Sequence, residues 1–282
     1  MSVGTLYVVS TPIGNLGDLT IRAIEVLRAV GLVLAEDTRH ARTLLARYEI
    51  RTPTAALHEH NEARSAPRLV ARMAGGVDLA LITDAGTPLL SDPGARLVRA
   101  AIDAAIPVVP VPGASALLAA LTGAGLPMDR FTFFGFLARR GADRQATIAT
   151  VAALTHAAVF YEAPTRVAAT LADLAGAGLG SRPAVVAREL TKRFEEFRRG
   201  TVDELAAYYA DSPPRGEVVL VIGEGALEAP DPAAWRELAR GLRAGGTSRR
   251  DITARLVAEH GVPRNVAYRL AHQPDDDAVD DA

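Results

Sequence analysis

Apolar and polar positions along the 282-residue chain follow two periods in turn. Aliphatic runs at residues 5–9, 32–35, 79–83 and 107–111 predict strands, and the stretches between them predict helices. Ile21, Ile24, Leu27 and Val30 recur every three residues, so Asp18 is placed to cap a helix that buries this stripe. Ser91 or Asp92 is placed to cap a later helix, with Pro93 in its first turn and Leu97, Val98, Ala101 and Ile102 toward the core. Strands alternating with helices predict an α/β domain with a mainly parallel sheet.

Beyond about residue 115 the spacing changes. Strands are expected at 131–136, 157–161, 184–188 and 217–222, with a polar, hairpin-like stretch at 192–200, and together they read as a second α/β domain. A proline-containing break at 229–232 precedes three short helical patterns at 235–242, 248–259 and 264–271. The expected organisation is therefore an N-terminal α/β domain over 1–115, a second over 116–225, a small helical module over 226–272 and an acidic, disordered tail over 273–282. No internal repeat is evident.

Composition narrows the chemistry. Apolar residues make up 49% and charged residues 23%, enough to bury a core and too balanced for global disorder. The absence of cysteine excludes disulfides, cysteine-bound zinc or iron–sulfur sites and a thiol nucleophile. The N-terminal residues lack a basic segment leading into a long apolar run, and no stretch reaches the length of a membrane span, so a cytoplasmic protein without membrane attachment is expected. The net charge of -2 hides an asymmetry: residues 275–282 hold five aspartates, and the remainder stands at +3. Of 31 basic residues, Lys192 is the one lysine.

Three predicted strands of the first domain run into loops suited to a ligand. Thr83-Asp84-Ala85-Gly86-Thr87-Pro88 joins a buried strand to a helix, and its glycine lets the backbone come close to a bound molecule. Val111-Pro112-Gly113-Ala114-Ser115-Ala116 and Ser10-Thr11-Pro12-Ile13-Gly14-Asn15-Leu16 do the same for two more strands. Three such ends suggest one shared rim, although each taken alone also reads as an ordinary turn. None matches the glycine-rich dinucleotide fingerprint or the Walker A loop, which disfavours a nicotinamide dehydrogenase and a P-loop NTPase.

These segments, with Ala35-Glu36-Asp37-Thr38-Arg39, Phe160-Tyr161-Glu162 and Ala187-Arg188-Glu189-Leu190-Thr191-Lys192, occur in the order seen in the ribosomal RNA small-subunit methyltransferase I family. The chain resembles that family, of the tetrapyrrole-methylase superfamily, over residues 4–224. The resemblance implies two α/β domains of tetrapyrrole-methylase type, S-adenosylmethionine held in the cleft between them, and a homodimer. It further implies 2′-O-methylation of a cytidine ribose in the decoding region of 16S rRNA, within the small ribosomal subunit. It places Pro12, Asp84, Gly86, Thr87, Ser115 and Ala116 on the donor from the first domain, and Tyr161, Glu162 and Leu190 from the second. The long acidic terminus and the near-exclusive use of arginine depart from the family pattern, away from this pocket.

Methyl transfer from a sulfonium asks the protein for alignment and for an outlet for the hydroxyl proton, with no metal. Lys192 draws attention as a compact, titratable amine where every other cation is arginine; the alternative is compositional drift on a solvated hairpin. Glu36, Asp37 and Arg39 directly follow a strand and either face substrate or form a structural ion-pair cluster. His58 and His60 would share one face of a strand, yet no third ligand is suggested, so zinc is not expected. Six arginines between Arg243 and Arg269, facing Asp251 and Glu259, make the helical module either an RNA-phosphate surface or a solvated cap. The rival functions are a precorrin or diphthine-type methyltransferase of the same superfamily, and a non-catalytic ribosome-assembly protein.

Overall fold

The computed structural model describes residues 2–225, 232–260, 262 and 264–273. It divides into two compact units, residues 1–225 and 226–282. The tail from residue 274, most of the break at 229–232 and the Gly261 turn lie outside the described residues.

The first unit begins with β1 (Leu6–Val9), α1 (Ile21–Ala29), β2 (Leu32–Ala35), α2 (Thr38–Arg47), β3 (Thr54–Ala56), α3 (Glu59–Ala74), β4 (Leu79–Leu81), α4 (Ala95–Asp103) and β5 (Val108–Val111). The strands form a fully parallel sheet in the order β3-β2-β4-β1-β5. Alternation along β2 shows why it is apolar throughout: Val33 and Ala35 pack with Leu27, Leu44 and Leu45, whereas Leu32 and Leu34 pack with Leu69, Met73 and Leu97 on the other face. Helix starts differ from expectation. Thr20 caps α1, accepting from the Ala23 N–H at 3.1 Å, because Asp18 sits in a preceding 3-10 turn. Ala23, Leu27 and Val30 are the buried stripe, and Ile21 is exposed. Gly94 at φ 122° starts α4 in place of Ser91 or Asp92, and Ile102 faces solvent. Helices α2 and α3, with the short β3, had no counterpart among the sequence expectations.

The chain continues through α5 (Ala116–Ala124), β6 (Phe131–Phe136), α6 (Ala142–Ala153), β7 (Ala157–Glu162), α7 (Val167–Leu174), β8 (Pro183–Arg188), β9 (Glu196–Thr201), α8 (Val202–Asp211) and β10 (Val218–Ile222). The second sheet has the order β6-β7-β10-β8-β9. Only β6–β7 is parallel and the other three pairings are antiparallel, because β10 enters between β7 and β8 and the β8–β9 connection is short. Helices α6, α7 and α8 pack on one face around Phe160, Leu171, Leu174 and Leu220. The opposite face receives Leu117, Ala120, Leu121 and Ala124 of α5, joined by Ile13 from the loop after β1.

At the end of β7 the Glu162 side chain is fully enclosed. It accepts hydrogen bonds from the Ala163 N–H at 2.9 Å and the Thr170 hydroxyl at 2.7 Å, and pairs with Arg166 at 3.3 Å. Thr170 in turn accepts from Arg144, which donates to the Ala138 carbonyl and pairs with Asp173 at 2.6 Å. Arg166 donates to the Leu137 and Ala138 carbonyls, so this network fixes the loop after β6 beside the cleft.

The second unit is α9 (Pro232–Ala244), α10 (Arg249–His260) and α11 (Arg264–His272), joined by a core of Ala239, Ile252, Leu256, Val262, Ala267, Leu270 and Ala271.

Glu162→Ala leaves the Thr170 hydroxyl and Arg166 without their enclosed acceptor. It is expected to lower stability by about 2–4 kcal/mol in urea unfolding. A loss under about 0.5 kcal/mol would show that the network carries no cooperative stability.

Candidate functional site

The loops after β1, β4 and β5 meet at the carboxyl edge of the first sheet. Thr11 and Gly86 pair as a short bridge, with Thr11 N–H to Gly86 O at 2.8 Å and Gly86 N–H to Thr11 O at 3.1 Å. The Thr11 hydroxyl donates to Thr83 O at 3.1 Å, Ser10 and Thr87 hydroxyls share a bond of 3.1 Å, and Thr87 donates to Ala114 O at 3.2 Å. Gly86 has φ +82°, and a Cβ there would stand 3.2 Å from Ile13 Cγ2, so both conformation and space call for glycine. The connection from β1 to β2 passes β4 on the face covered by α1, and that from β4 to β5 passes β1 on the opposite face, covered by α4.

Above this rim lies a cavity of about 380 Å³, walled from the other side by the ends of β6, β7 and β10 and the loop after β8. Of the residues expected at a donor, Asp84, Gly86, Thr87, Ala116, Tyr161, Glu162 and Leu190 line it. Pro12 is buried just beneath, and Ser115 caps α5 by accepting from the Leu118 N–H at 3.5 Å, so neither borders the cavity. Glu162 lines it with its carboxylate turned into the second domain. The sequence reading passed over Asp92, Leu90, Phe136 and Glu217, which also line the cavity. Asp92 had been read as a helix cap. The loop 84–94 instead turns back on itself, with Leu89 at φ 75° and Ser91 at φ 69°, and so brings Asp92 to the cavity. No local sequence signal announces left-handed backbone at leucine.

The first-domain wall is acidic. Burial, and then the nearby carboxylates of Glu36 and Asp84, push Asp92 up to about 6, although the neighbouring Thr83 hydroxyl pulls the other way. Glu36 is raised by burial and by Asp84, with His58 opposing. Asp84 accepts from the Asp37 N–H at 3.2 Å. Asp37 is the α2 cap and is held down to about 2 by its hydrogen bonds to the Arg39 side chain and backbone. The Arg39 side chain is 85% exposed, so Asp37 and Arg39 form a local pair at the helix start, separate from the cavity lining.

Lys192 stands in the turn between β8 and β9, outside the cavity lining. Its Nζ donates to Glu189 at 2.9 Å and Glu217 at 3.1 Å, and its stem lies so close to Gly14 that a Cβ there would fall 2.5 Å from Lys192 Cγ. The lysine therefore bridges the second domain and the loop after β1. Burial lowers its proton affinity, yet the bonds to Glu189 and Glu217 outweigh this and raise it overall, which fixes an ammonium and disfavours a general base. Glu189 at φ 51° and Thr191 at φ 66° shape this turn.

The His58–His60 segment is the start of α3 and not a strand; His58 occupies the cap position, its N–H donating to Asn61 at 3.0 Å. Among the described residues no three His, Cys, Asp or Glu side chains cluster as a metal site.

A model of the tetrapyrrole (corrin/porphyrin) methylases matches residues 5–206. The Ribosomal RNA small subunit methyltransferase I of Mesorhizobium japonicum is 50% identical over 229 residues, covering 81% of this chain and 78% of that protein. Its namesake in Pseudomonas aeruginosa is 48% identical over 281 residues, covering 97% and 98%. Among solved structures, a diphthine synthase aligns with a TM-score of 0.60 at 14% identity, over 78% of this chain and 89% of its own. The uroporphyrin-III C-methyltransferase of Thermus thermophilus, complexed with S-adenyl homocysteine, aligns at 0.57 and 20% identity, over 78% and 98%. These two likenesses establish the fold. Taken with relatives that run almost the full length of the chain, they leave one conclusion: the chain belongs to the ribosomal RNA small subunit methyltransferase I family of the tetrapyrrole methylases.

Proposed function

We propose that this protein is an S-adenosylmethionine-dependent methyltransferase that modifies the 2′-oxygen of a cytidine ribose in the decoding region of 16S rRNA, as a cytoplasmic homodimer acting on the small ribosomal subunit. The observation that carries the reading is near-half identity along 97% of the chain to a relative named for small-subunit ribosomal RNA methylation. The cavity residues fit the donor. A space of about 380 Å³ suits a ligand of nucleoside size, apolar walls at Ile13, Leu90, Phe136 and Val219 suit an adenosyl group, and Asp84 and Asp92 suit a cationic one.

When bound, S-adenosylmethionine supplies an electrophilic methyl carbon on a cationic sulfur. Direct displacement leaves to the protein the tasks of alignment and charge management. The backbone at Gly86 and Thr87 and the ring of Tyr161 define the pocket, and Asp84 and Asp92 provide negative charge opposite a sulfonium or ammonium group. Lys192, held as an ammonium, stabilises the developing alkoxide of the ribose, and the hydroxyl proton passes to solvent water.

Purified protein incubated with labelled donor and unmodified small subunits is expected to label a single cytidine ribose in the decoding region. Label on the base, on protein or on a tetrapyrrole in its place would overturn the reading.

Asp92 is neutral below about 6 and charged above it. Donor affinity is therefore expected to rise several-fold as pH climbs through this value, and the rise should flatten in Asp92→Asn. Because the folded-state value exceeds the ordinary 3.8, the carboxyl favours folding less as pH rises between the two. Asp92→Asn should accordingly raise the melting temperature at pH 7.5 and leave it unchanged at pH 3. Unaltered pH curves would remove Asp92 from the pocket.

Lys192→Ala is expected to slow single-turnover methylation roughly 10²-fold at saturating donor, with little change in donor affinity. Lys192→Arg should restore only part of this, since the planar guanidinium does not fit the channel between Gly14 and the two glutamates. Wild-type rates in both variants would mark the lone lysine as compositional accident.

A further inference from the structure

The C-terminal unit carries an exposed aromatic ridge that the methyl-transfer cleft does not use. Helix α11 has two faces: Ala267, Leu270 and Ala271 enter the three-helix core, whereas Arg264, Tyr268 and His272, four residues apart, lie along the other side. Tyr268 is 58% exposed, and its ring stacks on that of His272 with centroids 4.1 Å apart and planes at 27°. The His272 Nδ1–H donates to the Tyr268 carbonyl at 2.8 Å, which holds the imidazole in place against the phenol.

The stacked pair separates two open grooves. One, of about 500 Å³, runs between α10 and α11 past Arg250 and Arg264, with Thr253, Ala254 and Val257 on its floor. The other, of about 630 Å³, passes Trp235, Arg236 and Arg269. Among the described residues none of these four arginines has an ion-pair partner. Residues 232–273 as a whole hold eight arginines against three acids. A flat, solvent-facing ring pair with unpaired guanidinium groups on both sides matches the repeat of a single-stranded nucleic acid, in which each base offers a π-face and each linkage an anion. In a duplex those faces are already stacked, so a paired strand cannot use the ridge.

We infer that this ridge and its two grooves bind unpaired RNA, one base stacking on Tyr268 while the neighbouring phosphates lie against Arg250 and Arg264 on one side and Arg236 and Arg269 on the other. The inference rests on the ribosomal RNA reading given above and specifies where, outside the cleft, the substrate is gripped. The stack supplies contact with little sequence preference, and the arginines supply salt-dependent affinity.

The test uses the full chain, a fluorescein-labelled oligouridylate 12-mer, and a 12-base-pair RNA duplex as competitor, read by fluorescence anisotropy at several salt concentrations. Tyr268→Ala is expected to weaken binding to the single strand about tenfold, and Tyr268→Phe to leave it nearly unchanged. Arg250→Ala with Arg264→Ala should also weaken it and lower the dependence of log affinity on log salt by about 1.4. Circular dichroism and the thermal melting profile should be unaffected in each variant, which controls for folding of the C-terminal unit, and donor binding by calorimetry does so for the rest. Equal affinity in wild type and Tyr268→Ala overturns the inference, as does tighter binding of the duplex or binding only of an acidic protein partner. Methylation of small subunits separates the two levels. Wild type that modifies rRNA while Tyr268→Ala keeps the same KM for the subunit defeats the ridge alone, and wild type that modifies no rRNA defeats the functional reading.

Discussion

The pairing of Thr11 with Gly86 is the constraint on which the cleft depends. Two backbone bonds tie the loop after β1 to the loop after β4, and the Thr11 hydroxyl adds a third tie to Thr83. Because Gly86 carries no side chain, Ile13 can pass over it and continue into the core under the second sheet, beside α5. A single loop thus closes the floor of the cavity and joins the first sheet to the core beneath the second. Side-chain bonds among Ser10, Thr87 and Ala114 bring the third strand end into the same rim.

Acidic residues line the cavity from both sides, Asp84 and Asp92 after the first sheet's β4 and Glu162 and Glu217 from the second sheet. Beside the first sheet, Asp84 opposes ionisation of both Glu36 and Asp92, and Glu36 opposes that of Asp92. On the second-domain side Lys192 is kept cationic by Glu189 and Glu217, whose carboxylates satisfy it in a partly buried turn. Glu162, which the family resemblance placed on the donor, has its carboxylate engaged by Thr170, Arg166 and the Ala163 N–H, and so braces the wall from behind.

How much was legible beforehand depended on the range of the interaction involved. Strands such as β2 and β10 are continuous apolar runs, and helices α9 and α11 of the second unit carry a clear helical periodicity, so these are readable from neighbours in sequence, whereas α10 has almost none. Helix starts were read less well: Asp18 and Thr20 both suit a cap, and only the packing of Ala23 and Leu27 selects the second. The helix α3 was missed because Pro67 lies inside it and its buried acid, Glu62, finds a partner far along the chain, the Leu97 N–H at 2.9 Å.

By itself the sequence determined the α/β character of the chain, the glycine-bearing strand ends and the exclusion of thiol chemistry, since these follow from residue type and local period. The tertiary structure alone decided that the second sheet is mostly antiparallel, that Asp92 reaches the cavity through left-handed residues at Leu89 and Ser91, and that Lys192 meets Glu189, Glu217 and Gly14. The physical reason is that strand direction, charge pairing and enclosure depend on groups brought together from distant parts of the chain, and no local pattern encodes which of several equally suitable partners will be met.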